Sequence, residues 1–146
     1  MYLFSGAYGS ERGLDPLLVS SSIFCRMNEY MEDNHLDRHA PEDLAKVVRA
    51  YGLQDDLTLN GTIEEAKIAL AAGKILVIHG FFTRYGHIVC VVGYDEYGLI
   101  VHDPNGEWFP GGYDTRANGA YLHYSNNLIQ RVCMPDEKLW MHRISA

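Results

Sequence analysis

Residues 86–104 read Gly86-His87-Ile88-Val89-Cys90-Val91-Val92-Gly93-Tyr94-Asp95-Glu96-Tyr97-Gly98-Leu99-Ile100-Val101-His102-Asp103-Pro104. Two runs in it, HIVCVVGYD at 87–95 and LIVHD at 99–103, are apolar at consecutive positions. A strand with one wet face alternates, so these are strands of a sheet covered on both sides. If they pair as a hairpin, His87 at the mouth of one and Asp103 at the end of the next share one end of the sheet. A neutral imidazole exchanges a proton near neutral pH, and a carboxylate fixes its tautomer. This is the base-and-orienter half of a nucleophilic hydrolase.

Two hairpin registers are open. With Glu96–Gly98 as a three-residue loop and Gly98 left-handed, Asp95 faces Leu99 and Asp103 faces Val91. Asp103 is then about 13 Å along the strand from the partner of His87. With the chain folded about Asp95, His87 faces Asp103 directly. The two differ by an even number of residues, so both put the pair on one face.

Working outward, Lys74–His79 (KILVIH) reads as a further strand and Trp140–Ile144 as the last. Upstream the period changes to helical. Asp15-Pro16 starts one helix, with Val19, Ile23, Met27 and Tyr30 on its buried face. Ala40-Pro41-Glu42-Asp43 opens a second, with acids where the helix dipole favours them. Its core face is Leu44, Val47, Val48 and Tyr51, and Gly52 caps it. Thr62-Ile63-Glu64-Glu65 is a capping box for a third helix that ends near Gly73. Ser125 caps a short helix through Arg131, and residues 104–120 are turn-rich. Helices followed by an antiparallel sheet make an α+β fold.

The chain has 146 residues, 47% hydrophobic and 21% charged, which suits one globular domain over 1–146. A chain of this length buries about two-thirds of its unfolded surface and needs no metal or disulfide staple. The net charge of −7 opposes phosphate-tracking nucleic-acid binding. Three dispersed cysteines, Cys25, Cys90 and Cys133, are neither a disulfide framework nor a zinc motif. No basic segment precedes a long apolar run, and no run reaches the ~20 residues of a membrane span. The default expectation is a cytoplasmic protein without cofactor or metal.

From about Asp37 onward the chain resembles the double-glycine, bacteriocin-processing cysteine peptidases of the family 39 type, within the papain-like superfamily. The matching stretches are RHAPEDLAKVVRAYG, TIEEAKIALAAGKILVIHGFFT and GHIVCVVGYDEYGLIVHDPNGEW, and more loosely LHYSNNLIQRVC and LWMHRI. The resemblance implies a papain-like half-barrel that hydrolyses a peptide or amide bond, with His87 as general base and Asp103 as its orienter. It implies a peptide-like substrate, and it makes Trp108 the aromatic that shields the pair and contacts substrate. Residues 1–36 match weakly. The family's nucleophile segment, of the form Q…C-x-x-T-S-x-x-M, has no counterpart here. Two expectations follow: a chain lacking its nucleophile segment at the N-terminus, or a degenerate relative that binds peptides without cutting them.

None of the three cysteines reads as the nucleophile. Cys25 lies about ten residues into its helix, among Ser21, Ser22, Glu29 and Glu32, and carboxylates raise a thiol pKa. Cys90 is mid-strand on the opposite side from His87, and Cys133 follows the late helix. A metal-dependent hydrolase using His79, His87 or His102 is a weaker alternative, since no metal-ligand spacing appears. Without a nucleophile helix, an apolar groove beside His87 is expected, lined by Ile88, Trp108 or neighbouring tyrosines and open to self-association.

Overall fold

The computed structural model describes residues 26–146. The expected first helix begins outside them, and so does Cys25; residues 26–33 are helical. The chain divides into two compact units, Met1–Leu53 and Gln54–Ala146. In the first, helix α1 spans Pro41–Ala50, with Pro41 in its first turn, Glu42 and Asp43 beside it and Arg49 in the last turn. Asp43 accepts from Lys46 at 2.6 Å and from the Asp37 N–H at 2.9 Å. The Lys46 bond, then the backbone bond, holds its carboxyl below the usual range. Pro41, Ala45, Val47 and Val48 are its buried residues. Gly52 takes φ +82° just beyond the helix, the left-handed geometry that ends helices on glycine.

The second unit runs β1 (Gln54–Gly61), α2 (Ile63–Ala71), β2 (Ile75–Gly80), β3 (His87–Tyr94), β4 (Gly98–His102), β5 (Glu107–Phe109), β6 (Gly112–Asp114), β7 (Leu122–Ser125), α3 (Asn126–Cys133) and β8 (Leu139–Ser145). Six strands form one sheet in the order β1-β8-β2-β3-β4-β7, and β5-β6 form a separate ribbon. Every pairing is antiparallel. The α+β architecture is therefore that of the papain-like fold. Four of these strands carry little signal in the sequence. β1 reads QDDLTLNG, polar enough for a loop, and works as an edge strand on β8. β5 and β6 are three residues each, and β7 is four.

The capping box at α2 is complete. Thr62 Oγ1 accepts the Glu65 N–H at 3.1 Å, and Glu65 Oε2 accepts the Thr62 N–H at 3.0 Å. α2 and α3 bury one face of the sheet. Ala66, Ala69, Ile129, Val132 and Cys133 form a single core with Leu76, Ile78, Val89, Val91, Leu99, Val101, Tyr124, Leu139 and Met141. The alternate residues Val77, Cys90, His142 and Ile144 are buried on the other face. Both faces of the central strands are thus dry, which is why their sequences do not alternate.

The β3–β4 register matches neither expected hairpin. Tyr94 pairs with Leu99 and Gly93 with Ile100, but Val91 pairs with Val101 and Cys90 with His102. Val92 is an extra residue, a β-bulge. Continued without it, the register at the turn would set Asp103 opposite Cys90, on the face away from His87. The bulge shifts the ladder by one and sets Asp103 across from Val89, on the His87 face. Gly98 is not left-handed. A side chain there would strike the Tyr124 carbonyl, so glycine serves the close approach of β4 to β7. The turn is closed by Asp95, whose Oδ1 accepts the N–H groups of Tyr97 at 2.7 Å and Gly98 at 2.8 Å.

Candidate active site

His87 opens β3 opposite Gly80 of β2, and Asp103 follows the last residue of β4. His87 Nε2 and Asp103 Oδ1 are 3.0 Å apart. Asp103 is fully buried, and the His87 side chain is 15% exposed. The carboxylate is surrounded by donors. Oδ1 also accepts the Asn105 N–H at 3.1 Å. Oδ2 accepts the hydroxyls of Tyr113 and Tyr124, each at 2.9 Å. Burial pushes the carboxyl pKa up; the bonds from His87, Asn105, Tyr113 and Tyr124 outweigh it and hold the group below its ordinary value.

An ionised carboxylate only accepts, so Nε2 carries the imidazole proton and Nδ1 carries the lone pair. Nδ1 has no hydrogen bond among the described residues. The arrangement leaves the imidazole with one nitrogen committed and one open. Around it, Phe82 meets His87 edge-on at 6.2 Å and Tyr113 at 6.0 Å, which fixes the ring plane.

The turn-rich stretch after Asp103 returns to it. The Asp103 N–H donates to the Gly119 carbonyl at 2.7 Å, and a side chain on Gly119 would collide with the Asp103 carbonyl. Within that excursion the β5-β6 ribbon brings Trp108 and Tyr113 to the site. The Trp108 indole N–H donates to the Phe82 carbonyl at 2.8 Å, and its backbone N–H donates to the Tyr124 hydroxyl at 3.0 Å. Trp108 is half-buried against Phe82, their rings 6.1 Å apart. Ile88 does not line this site. It pairs with His79 and alternates to the other face of the sheet, so the expected groove contact from Ile88 is incorrect.

On that other face stands a second carboxylate–histidine array. His142 Nδ1 is 2.7 Å from Asp55 Oδ2, and His142 Nε2 is 3.0 Å from His79 Nε2. The sequence pattern did not pair these residues, because Asp55 sits on β1, a segment that does not read as a strand. Burial, then the neighbouring His142, lowers the His79 pKa to about 4. His102 accepts the Tyr121 N–H at its Nδ1. His79, His87 and His102 are thus engaged separately, and among the described residues no group of three or more His, Cys, Asp or Glu is arranged to hold a metal ion.

Both described cysteines are buried, and burial pushes the Cys90 thiol up to about 11 and the Cys133 thiol up to about 12. Neither is hydrogen-bonded to His87. Nothing in the sequence pairs Tyr113 or Tyr124 with Asp103, from which they stand 10 and 21 residues away. Among the described residues no helix is long and apolar enough to cross a membrane.

Comparison with known proteins gave no match among curated proteins and none among solved structures. The model of the Peptidase_C39 like family matches residues 24–129, a span that holds His87, Asp103 and all the residues around Asp103 described above. With most of its length covered by that match and a papain-like α+β fold, the chain belongs to the Peptidase_C39 like family, whose domains are those of cysteine peptidases.

Proposed function

We propose that this domain acts on peptide substrates through His87 and Asp103, with His87 Nδ1 as the proton-exchanging atom. The observation that carries the reading is the 3.0 Å contact between Nε2 and a fully buried, four-donor carboxylate, which leaves Nδ1 open. In amide hydrolysis a cysteine thiolate attacks the carbonyl carbon, and the imidazolium gives the Nδ1 proton to the leaving amine as the C–N bond breaks. Water then attacks the thioester, yields its proton to Nδ1, and the thiolate departs. Trp108 flanks the pair and is proposed to contact the substrate chain.

We do not assign the thiolate to Cys90 or Cys133, because both are buried and burial pushes their thiols up. The alternative reading is a peptidase-fold module that binds peptides without cleaving them. A single experiment separates the two. The protein is incubated with a peptide library, and cleavage is followed by mass spectrometry alongside labelling with a thiol-reactive peptide electrophile. Cleavage and labelling that vanish in His87→Ala support the peptidase. Saturable peptide binding without either supports the module, and neither binding nor cleavage sinks both.

A further inference from the structure

Three parts of the chain deliver donors to Asp103 besides His87: the 103–106 turn through the Asn105 N–H, the β5-β6 ribbon through Tyr113, and β7 of the main sheet through Tyr124. Two donors fall on each carboxylate oxygen, which occupies its four lone-pair sites. The direction of the Tyr124 bond is fixed by its other partner. Its oxygen already accepts the Trp108 N–H at 3.0 Å, so its own proton goes to Asp103. Tyr124 is 1% exposed, and its ring cannot swing away without opening the core. Burial and the adjacent carboxylate raise the pKa of the Tyr113 phenol, so it too remains a donor.

We propose that Tyr113 and Tyr124 are positioning residues that hold Asp103 in one orientation against His87 Nε2 and so keep Nδ1 the proton-accepting atom; this rests on the peptidase reading above. A histidine–aspartate contact of the same length forms elsewhere without them. Exposed His123 lies 3.0 Å from Asp95 Oδ1, which otherwise takes only backbone N–H groups. The tyrosines therefore supply something the contact alone does not need: a fixed carboxylate that is charged in the dry interior. Tyr113 comes from the ribbon and Tyr124 from the sheet, so their meeting at Oδ2 ties the ribbon's place to the base.

The test uses the full chain with Tyr113→Phe and Tyr124→Phe, which keep both rings. Carbon-detected NMR follows the Asp103 carboxyl through a pH titration, with Asp95 as the internal control. Each variant is expected to raise the Asp103 midpoint by about half a unit or more, since each removes one donor to the charged form, and to leave Asp95 unmoved. Peptide turnover is expected to lose kcat by about tenfold with KM little changed, because neither hydroxyl is asked to touch substrate. An unmoved Asp103 midpoint in either folded variant, or a loss confined to KM, overturns the proposal. If the wild-type chain cleaves nothing, the peptidase reading fails by itself, and the titration still decides whether the tyrosines hold Asp103. If Tyr124→Phe does not fold, half-buried Tyr113 decides it alone.

Discussion

The sheet buries a carboxylate–histidine pair on each face, and these two are built to opposite ends. On the helix-covered face Asp103 takes Nε2 of His87 and leaves Nδ1 open. On the other face Asp55 takes Nδ1 of His142, and His79 takes its Nε2. His142 is 2% exposed in its side chain against 15% for His87. A histidine with both nitrogens spent and no route to solvent is a buried strut. A histidine with one nitrogen spent on a fixed carboxylate keeps a lone pair open, which suits the base proposed for His87. Short contact and burial are common to both, so neither separates them; the unspent atom does.

The sharpest break of this contrast is expected in turnover. Asp103→Asn replaces an acceptor with an amide that cannot hold the Nε2–H tautomer, and peptide cleavage should fall by about 10³–10⁴. His87→Ala should cost about 10²–10⁴. His142→Ala, assayed on the fraction that remains folded, should leave cleavage within a few-fold of wild type. A His142 variant that loses turnover as severely as the His87 variant would erase the distinction.

Stability should order the two pairs the other way. His142→Ala removes the 2.7 Å partner of a carboxylate with no exposed side-chain surface. Breaking such a pair costs about 3–5 kcal/mol, which denaturant unfolding would register as a large loss of midpoint. His87→Ala leaves Asp103 with Asn105, Tyr113 and Tyr124 as donors. It should cost about 1 kcal/mol. Equal losses would mean that the tyrosine-held carboxylate depends on His87 as heavily as Asp55 depends on His142.

Acid should act on the far-face array through His79. An unfolded histidine takes up its proton near pH 6.5, whereas His79 in the fold stays neutral to about 4 because it is buried beside His142. Between those values the unfolded chain holds more protons, so stability present above pH 6.5 is lost as pH falls toward 4. The His79 share is about 3 kcal/mol at most. His79→Gln should flatten the slope of unfolding free energy between pH 6.5 and 4.5. An unchanged slope would show that His79 is protonated in the fold at mild pH.

How much of this was written in the chain follows the range of the interactions. The capping box at Thr62 and the glycine stop at Gly52 are contacts within one turn of backbone, and they read correctly from neighbouring letters. The central strands read correctly because two dry faces leave an uninterrupted apolar run. β1 did not, because two aspartates open it, and one of them, Asp55, is there for a partner 87 residues away. The Tyr124–Asp103 bond spans 21 residues and belongs to the same class. Local patterning has no term for a polar side chain whose reason lies across the sheet. The register failed differently: Val91-Val92-Gly93 looks like any apolar stretch, and nothing in those letters says which valine is left out of the ladder.

That omitted valine bears on which length changes the site tolerates. Deleting Val92 would let Gly93↔Ile100 run straight into Val91↔Val101, and His87 and Asp103 would keep their places. Inserting one residue between Val101 and His102 has no such refuge. It would slide Asp103 to the row of Ile88 and turn its carboxylate to the side of the sheet where His79 and His142 lie. Two inserted residues would bring it back to the proper side, though a strand step too far. Across descendants of this domain, the loss of a codon at position 92 should therefore be silent, while a single codon gained in β4 should separate the two halves of the dyad without changing any residue in it.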